Sequence, residues 1–501
     1  MAAGPAFRML MIAALVSVSA CGGGGGGGGG GTVTTAVGWT PGIFQPAANF
    51  AGQCSALSEN NWLRSWTNDL YLWYDEVVDR DPALFTTPAY FDLLKTTATT
   101  ASGNPKDKFH FTYDTAAWQA LSQSGVEAGY GVEWAVVARF VPRRVVVAYT
   151  EPGSPAIAAG ANLARGAEVL TVDGVDVVND NTGSGVDAIN AGLFPAASGE
   201  THTFAVRDLG AATPRTFTLR SANVTLSPVQ GVTTIPTPSG PVGYLFFTDH
   251  IATAESALVS AVSALKAANI TDLVLDIRYN GGGYLDIASE LAFMIAGSAR
   301  TAGRTFEQIV FNAKHGAEPP FAFAGTTEGF SLAAGQALPT LDLPRVFVLT
   351  GNGTCSASES IINSLRGVGV QVIQVGSSTC GKPYGFTPQD NCGTTYFSIQ
   401  FKGVNAIGFG DYTDGFSPAN ASGAAGTPLP GCSVADDLGH ALGDPAEGRL
   451  AAALMYRTSS TCPAPSGFAP PGGLSGIHAQ AAPASGGLRT KSPWRENRIL
   501  R

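Results

Sequence analysis

The sequence predicts an α/β protein, α+β overall, with a βαβ core, an inserted small β-rich domain and a short N-terminal helical region. Three observations support this prediction. The chain of 501 residues is longer than a single hydrophobic core usually organises. Its composition, 45% hydrophobic and 13% charged, is that of a folded protein. Strand and helix patterns alternate over residues 226–462, whereas short strands separated by glycine turns fill residues 117–225.

The first segment, residues 1–21, has the pattern of an export signal. Arg8 precedes an apolar run, Met9 to Ser19, that is too short to span a bilayer stably. The run ends in Val-Ser-Ala-Cys, which resembles the bacterial lipobox, so we expect Cys21 to carry a lipid that anchors the protein to a membrane. An ordinary signal peptide with an incidental cysteine is the alternative. The interpretation places the protein in the cell envelope, on the periplasmic side of a membrane, with the outer membrane favoured over the inner.

The segments that flank the folded parts are rich in small residues. Residues 22–49 contain an unbroken glycine run and predict a flexible linker. Residues 463–501 are rich in Pro, Gly, Ala and Ser and predict a disordered tail. Residues 50–116 form the N-terminal helical region, in which 60–78 has aromatic residues at helical spacing. We expect this aromatic stripe to pack on a larger core.

The β-rich domain, residues 117–225, contains three predicted strands, Val145–Ala148, Glu168–Val172 and Thr216–Leu219. The segments Gly-Tyr-Gly-Val at 129–132, Glu-Pro-Gly-Ser-Pro-Ala at 151–156 and Arg-Gly-Ala-Glu-Val-Leu at 165–170 resemble, in this order, a PDZ domain of bacterial proteases. The resemblance implies that a peptide adds as an extra strand and that its terminal carboxylate binds backbone amides of Tyr130, Gly131 and Val132. A glycine turn in a generic β domain is the alternative.

The core, residues 226–462, alternates strands and helices. The predicted strands are Val242–Phe247, Leu273–Ile277, Val346–Leu349 and Val370–Val375, and the predicted helices are Ala252–Ala268, Leu285–Ile295 and Ser356–Arg366. Residues Thr394–Phe401 alternate in polarity and predict one strand at a sheet edge. The alternation is typical of βαβ units.

One loop of the core ends a predicted strand in consecutive glycines, Asp-Ile-Arg-Tyr-Asn-Gly-Gly-Gly at 276–283. Without a Cβ atom, the backbone at Gly282 or Gly283 can direct an N–H group into a cleft, as an oxyanion hole requires. A tight turn between strand and helix is the alternative for this motif alone.

A second loop, Gly-Asn-Gly-Thr-Cys-Ser-Ala-Ser-Glu at 351–359, lies between a predicted strand and a predicted helix. Ser356 would stand at the helix start, where free backbone amides and the positive end of the helix dipole stabilise a developing oxyanion. The amide of Ala357 is the natural donor. A serine that simply caps the helix is the alternative.

A third loop, Gly-Ser-Ser-Thr-Cys-Gly-Lys-Pro-Tyr-Gly at 376–385, follows the next predicted strand. Lys382 can act as a general base only when its amine is neutral, which requires its pKa to fall from about 10.4 to roughly 7 or 8. Such a shift, worth about 4 kcal/mol, demands a site shielded from water.

In this order the three loops resemble the C-terminal-processing, or tail-specific, serine protease family, which combines a Ser/Lys dyad with an embedded PDZ domain. The resemblance covers roughly residues 117–462. It implies that Ser356 is the nucleophile, that Lys382 is its base, and that Gly282 or Gly283 and Ala357 form the oxyanion hole. Polypeptides, held through their C-termini, would be the substrates. Many relatives place a glutamine four residues after the lysine, where this chain has Phe386.

Three other functions fit parts of the sequence less well. A catalytically weak or inactive peptide-binding lipoprotein would keep the fold, and Phe386 favours this alternative. A cysteine hydrolase using Cys355 would lack a histidine in any of the motifs, and a Ser/His/Asp hydrolase would lack the Gly-x-Ser-x-Gly pattern. The formal net charge of −9 gives no reason to expect nucleic acid as a partner.

The cysteines predict disulfides rather than a metal site. Seven are present, and removing the lipidated one leaves six in a chain expected in an oxidising compartment. No Cys-x-x-Cys pair or paired histidine spacing occurs, so we expect no metal and no cofactor. We hypothesise a Cys355–Cys380 bridge because these residues adjoin the proposed nucleophile and base. Cys392–Cys432 and Cys54–Cys462 complete the predicted set.

Overall fold

The computed structural model describes residues 39–464, 488–489 and 497–499. The predicted signal with Cys21, the glycine run and most of the predicted tail lie outside the described residues. All of the named elements belong to the compact unit that starts at Pro41. Within the described part of the chain, no helix has the length and apolar character needed to cross a membrane.

The described α-helices, in chain order, are α1 (Ala56–Leu70), α2 (Thr87–Leu93), α3 (Thr115–Ser124), α4 (Gly183–Leu193), α5 (Ala254–Ala267), α6 (Leu285–Ala296), α7 (Ser298–Thr301), α8 (Ala357–Gly367) and α9 (Gly448–Ser459). The strands of the first half are β1 (Phe111–Asp114), β2 (Val126–Gly129), β3 (Val132–Ala138), β4 (Arg144–Thr150), β5 (Glu168–Val172), β6 (Val175–Asp176), β7 (Thr201–Arg207), β8 (Arg215–Arg220), β9 (Ala222–Thr225), β10 (Val229–Ile235) and β11 (Val242–Phe247). Those of the second half are β12 (Asp272–Asp276), β13 (Gly282–Tyr284), β14 (Thr305–Phe311), β15 (Phe321–Ala322), β16 (Arg345–Thr350), β17 (Gln371–Gly376), β18 (Tyr384–Gly385), β19 (Gln389–Asn391), β20 (Thr394–Phe397), β21 (Phe401–Val404), β22 (Phe416–Pro418), β23 (Thr427–Leu429), β24 (Gly431–Ser433) and β25 (Asn497–Ile499).

The core is a sheet in the order β10-β11-β12-β16-β17-β24, parallel except for β10. One face packs on α5, α6 and α8 through residues such as Leu275 and Ile361, and the other face packs on α9 through Leu349 and Leu450. Because both faces are covered, the central strands are continuous apolar runs, and β11 is buried along its whole length. The predicted α/β class and βαβ core are confirmed.

The β-rich domain is a sheet in the order β3-β4-β5-β7-β8, with β6 paired to β5 and α4 packed against it. The strands expected at 145–148, 168–172 and 216–219 are all present. Within the predicted range 117–225, the side chain of Trp118 in α3 packs on the core side, where the rings of Trp118 and Phe397 lie 5.0 Å apart. Among the described strands, β3 pairs on one side only, with β4.

The N-terminal region packs through aromatic residues, as the sequence predicts. Trp62 and Trp66 of α1 are buried and stack with ring centroids 5.3 Å apart, and Trp62 also contacts Tyr396 of the core. The helix ends at Leu70 rather than near residue 78. The chain leaves the helix there because the Leu72 N–H donates to the carbonyl of Ile399, 2.8 Å away.

The prediction of one edge strand over 394–401 is wrong. The structure has two strands in different sheets: β20 lies between β1 and β19, and β21 lies between β14 and β18. The polarity alternation indicates extended backbone, but it does not reveal the break at 398–400. The backbone there forms hydrogen bonds with another segment instead: the N–H of Gln400 donates to the carbonyl of Gly385.

The described cysteines form three disulfides. Cys355–Cys380 is confirmed, with Cα atoms 5.1 Å apart. The other two predicted pairings are wrong, because the bridges are Cys54–Cys392 and Cys432–Cys462. Spacing along the chain is a poor guide here: Cys54 and Cys392 are 338 residues apart, and their pairing depends on the N-terminal region packing on the core.

Two parts of the predicted tail make ordered contacts, so disorder over all of 463–501 is also wrong. Leu488 is buried in the β-rich domain, and residues 497–499 form β25 beside β13. Leu488 and Ile499 are large aliphatic residues, and each is almost fully removed from solvent. Burial of these two apolar side chains contributes favourable free energy to the docking of the segments, which the Pro, Gly, Ala and Ser residues around them contribute much less.

Candidate active site

The predicted nucleophile stands at a strained turn between strand and helix. Ser356 follows β16 by six residues and immediately precedes α8, and its φ and ψ are 59° and −116°. Positive φ is uncommon for a residue with a Cβ atom and concentrates at functional sites. The side chain is fully buried. A strained serine between strand and helix is the arrangement that other hydrolases use to present a nucleophilic hydroxyl at the edge of a sheet.

The predicted base lies in the adjacent loop, and its side chain is also fully buried. The Lys382 Nζ lies 4.5 Å from the ring centroid of Phe386 and 4.7 Å from that of Phe109. The preceding Gly381 has φ +81°, and a Cβ atom there would come within 2.2 Å of the Thr413 carbonyl oxygen. The loop that carries the lysine therefore requires glycine at this position.

Two links bring the nucleophile loop and the lysine loop side by side. The Cys355–Cys380 disulfide joins them covalently. The N–H of Cys380 also donates to the Thr354 carbonyl, at 3.0 Å. Residues 354–356 and 379–382 thus lie in adjacent loops.

A buried carboxylate, Glu359, connects the same two loops, and its role was missed from the sequence. It accepts hydrogen bonds from the backbone N–H groups of Ser356, Gly381 and Lys382, at 3.0, 2.9 and 2.8 Å. Burial raises the pKa of Glu359, and the hydrogen bonds that it accepts oppose this rise. The Ser-x-x-Glu spacing is that of a helix capping box, which could have indicated the bond to Ser356 but not those to the lysine loop.

The N-terminal region forms one wall of the site. Besides the Phe109 ring, it contributes Lys108, whose Nζ donates to the Cys380 carbonyl at 2.9 Å. Burial lowers the pKa of the Lys108 amine, and the nearby carboxylates of Glu359 and Asp414 oppose this effect. No sequence motif singled out Lys108, because its contact depends on the packing of distant segments.

Asn280 organises the glycine loop, and this arrangement changes the role predicted for Gly282. The Gly282 N–H donates to the Asn280 Oδ1 at 2.9 Å, so this amide is already engaged within the loop. The remaining predicted oxyanion donors are Gly283 and Ala357. Ala357 is the first residue of α8, a position whose amide has no partner within a helix. Gly283 has φ +138°, and a Cβ atom there would come within 2.4 Å of the His250 carbonyl oxygen.

A buried histidine supports the glycine loop and carries no sequence signal. The His250 Nδ1 lies 3.0 Å from the Asn280 Oδ1. Burial lowers the pKa of His250 to about 3, so the ring is neutral at physiological pH. Its Nε2 is buried and makes no hydrogen bond to any described residue. The histidine lies against the loop backbone, since the Tyr284 N–H donates to its carbonyl.

The predicted peptide-binding segment lines a pocket in the β-rich domain. Tyr130, Gly131 and Val132 surround it together with Trp134 of β3 and Leu193 of α4. Gly131 has φ +71°, and a Cβ atom there would come within 2.3 Å of the Ser154 Cβ. The segment thus adjoins β3, whose free edge could accept an added strand.

Possible metal ligands also come together at the site. Cys355, Glu359 and Cys380 place one ligand atom each within 4.8 Å of one another. The two sulfur atoms are bonded to each other in a disulfide, and a disulfide sulfur is not the thiolate that a metal prefers. The cluster is therefore explained by the link between the two loops.

The α/β core carries a strained serine and a buried lysine in adjacent loops, and nucleophilic hydrolases use residues of these types. Residues 241–391 match the sequence profile of Peptidase family S41. This part of the chain is therefore similar to a peptidase family S41 domain, and the matched segment includes the glycine loop, Ser356 and Lys382.

Individual relatives agree with this assignment. The chain is 28% identical to the carboxyl-terminal-processing protease of Picosynechococcus sp. over 263 residues, which is 52% of this chain and 56% of the relative. It is also 28% identical to the protein of the same name from Synechocystis sp., over 46% of this chain and 47% of the relative. The chain thus spans about half the length of the curated relatives it matches.

A solved structure shares the fold. An S41 protease from Bacteroides fragilis superimposes with a TM-score of 0.60 and 22% sequence identity, covering 80% of this chain and 97% of its own. At this identity, the likeness concerns the fold alone.

Proposed function

We propose that the protein is a serine endopeptidase of the C-terminal-processing type, with Ser356 as nucleophile and Lys382 as general base. One observation carries the proposal: a strained, buried serine is joined to a buried lysine loop by both a disulfide and the Glu359 carboxylate. A serine that only caps a helix would not need to be buried or joined to a lysine loop. A lysine with only a surface role would likewise need neither burial nor these two connections.

In the proposed mechanism, the neutral Lys382 amine removes the proton of the Ser356 hydroxyl as its oxygen attacks the carbonyl carbon of the substrate. The amides of Gly283 and Ala357 stabilise the resulting oxyanion. Lys382 then donates the proton to the departing amine, which leaves an acyl group on Ser356. Water, deprotonated by the same lysine, releases the acyl group and restores the enzyme.

Phe386 occupies the position at which many relatives have a glutamine. Its ring face contacts the lysine amine, and a cation–π contact of this kind is worth about 0.5–2 kcal/mol. We infer that Phe386 and Phe109 position the amine by packing on both sides of it. The contact favours the charged amine, and this supports a second candidate function, a peptide-binding protein of the same fold with weak or no activity.

The β-rich domain is proposed to deliver substrates. A polypeptide C-terminus would bind the amides of Tyr130, Gly131 and Val132, and the chain before it would pair with the free edge of β3. The domain is attached to the core through Arg165, which bonds the Tyr279 hydroxyl at 2.7 Å and Asp436 at 2.8 Å. Recognition and cleavage would then take place at fixed positions on one polypeptide.

Export and anchoring are also proposals. Cys21 would carry the lipid, and the polypeptide substrates would be other exported proteins at the membrane surface. The three disulfides support an oxidising compartment, since such bonds are rare in the reducing cytosol.

The proposal is tested by incubating the purified protein lacking residues 1–21 with an unfolded protein such as casein. The Ser356→Ala variant serves as the matched control. We expect fragments in the first sample and intact substrate in the second. Intact substrate in both samples would favour the peptide-binding function, and equal cleavage in both would exclude Ser356 as nucleophile.

A further inference from the structure

The strand β25 lies in the candidate active site between two of its loops. It pairs in parallel with β13, so that residues 497, 498 and 499 are opposite Gly282, Gly283 and Tyr284. On its other side, Ile499 forms a bridge with Phe386 of the lysine loop. The strand thus spans the gap between the oxyanion loop and the loop of the proposed base.

The side chain of Ile499 fills an apolar pocket beside the proposed nucleophile. It is 2% exposed and belongs to the same apolar cluster as Cys355, Phe386 and Ile251. Cys355 directly precedes Ser356, and β25 also contacts α8, which begins directly after Ser356. A side chain in this pocket therefore lies in the same apolar cluster as the residue that directly precedes the nucleophile.

A second part of the same segment lies in the β-rich domain. Leu488 is 1% exposed and packs in the cluster that contains Tyr130, Trp134 and Leu193, three residues of the proposed peptide pocket. The next N–H, of Arg489, donates to the Asn190 Oδ1 of α4 at 2.7 Å. The described parts of the segment therefore lie in two places: in the candidate active site, and in the apolar core of the β-rich domain from which Tyr130, Trp134 and Leu193 also line the proposed peptide pocket.

We propose that Leu488 and residues 497–499 belong to a segment that acts as the chain's own ligand, with Leu488 in the apolar core of the β-rich domain beside the proposed peptide pocket and residues 497–499 in the cleft of the candidate active site. The inference rests on the proposed function and specifies its substrates: polypeptides that add a strand to Gly282–Tyr284 and place a large aliphatic side chain in the pocket of Ile499. Because a tethered ligand has an effective concentration near millimolar, the segment competes with substrates from other chains. The protein is self-occluded until the segment is displaced or removed.

Binding alone provides the first test and requires no turnover. A labelled peptide of residues 488–501 is titrated, with fluorescence anisotropy as readout, into a chain that ends at residue 487 and carries Ser356→Ala. We expect saturable binding. The same peptide with Ile499→Asp should bind at least 10-fold more weakly, since burial of this aliphatic side chain is lost. The peptide with Arg489→Ala is the control, because the Arg489 side chain is exposed, and it should bind like the parent.

The full-length chain provides a second test that does not depend on the truncated protein folding. Ile499→Asp in the full-length chain should open the cleft, so that it binds the labelled parent peptide at least 10-fold more tightly than the unmodified chain does. In parallel, casein hydrolysis by this variant should rise about 10-fold, and the free peptide should inhibit it competitively.

The outcomes separate the inference from the function on which it rests. Peptide binding without hydrolysis in any variant would contradict the protease and support the occupied substrate path. Hydrolysis that neither Ile499→Asp nor added peptide changes, together with no peptide binding, would overturn the inference and leave the protease standing. A purely structural role for β25 predicts that Ile499→Asp lowers the melting temperature and exposes no peptide-binding site, which would also overturn the inference.

Discussion

The proposed catalytic loops and the β-rich domain differ in how they are held. Ser356, Glu359 and Lys382 are fully buried, and their loops are joined by a disulfide and by the Glu359 carboxylate, which accepts hydrogen bonds from backbone N–H groups of both loops. The β-rich domain instead keeps an unpaired edge at β3 among the described strands. Bond cleavage requires atoms fixed within fractions of an ångström, whereas peptide capture requires backbone that remains accessible. The two regions satisfy these opposite requirements within one chain.

The two regions are connected by a buried network of charges. Arg278, two residues after β12, donates to Asp276, Asp436 and Glu447, and Arg165 of the β-rich domain donates to the same Asp436. Burial alone would raise the pKa of Asp436, but the neighbouring guanidinium groups hold it well below its usual range. The carboxylate therefore stays charged and keeps the β-rich domain attached to the core near physiological pH.

The largest expected effect concerns the proposed pair. Ser356→Ala and Lys382→Ala should each lower kcat/KM by about 10³-fold or more, and the double variant should be no worse than either, because the two groups act as one unit. Steady-state cleavage of a peptide substrate measures this. Lys266→Ala, which changes an exposed lysine of α5, is the control and should retain full activity. Near-normal turnover by Lys382→Ala would exclude a lysine base.

Removal of the Glu359 carboxylate should have the second-largest effect on activity. Glu359→Ala leaves three buried N–H groups without their acceptor, so we expect kcat to fall about 100-fold with little change in KM. The exposed Glu318→Ala is the matched control. If Glu359 has only a structural role, Glu359→Ala lowers the melting temperature and leaves kcat per folded molecule unchanged. This result would show that Glu359 does not position the proposed catalytic residues.

The disulfides allow a closer comparison because two of them close loops of similar length. Cys355–Cys380 and Cys432–Cys462 span 25 and 30 residues, so loss of either should destabilise the protein by about 3 kcal/mol. Replacing both cysteines of the first pair with serine should also lower kcat about 10-fold, whereas the same change in the second pair should not. Equal kcat values for the two double variants would show that the first bridge does not position the loops.

The smallest expected effect belongs to the β-rich domain. A peptide with a free C-terminal carboxylate should bind the chain ending at residue 487 about 10-fold more tightly than its amidated form, because amidation removes the charge held by the Tyr130–Val132 amides. Isothermal titration calorimetry of both peptides measures the difference in affinity. We expect kcat to be the same for substrates with a free and with an amidated C-terminus. Equal affinities would reject capture of the terminal carboxylate and leave binding along β3 open.

The strands and helices of the core were predictable because each is specified by its own residues. The run Val242–Phe247 is apolar at every position but Gly243, and the structure buries it completely as β11. The proximity of the loops that carry Ser356 and Lys382 was predictable for a related reason, since loops that follow neighbouring parallel strands meet at one edge of the sheet.

The features that the sequence left open depend on contacts between distant segments. The Cys54–Cys392 bridge needs the N-terminal region to be docked, and the bond from Lys108 to Cys380 joins residues 272 positions apart. β25 was hidden because a short strand in a polar segment carries no periodic pattern, and its pairing with Gly282–Tyr284 is set by the edge it meets. Glu359 stood in a recognisable capping pattern, but its bonds to the lysine loop are tertiary.

Covalent labelling tests the central claim most directly. A fluorophosphonate phosphonylates the hydroxyl of an activated serine, and peptide mass spectrometry then identifies the modified residue. We predict modification of Ser356, at a rate that rises from neutral to mildly alkaline pH as Lys382 loses its proton and that falls about 10³-fold in Lys382→Ala. Modification of another residue, or labelling of Ser356 at an unchanged rate in Lys382→Ala, would contradict the proposed serine and lysine pair.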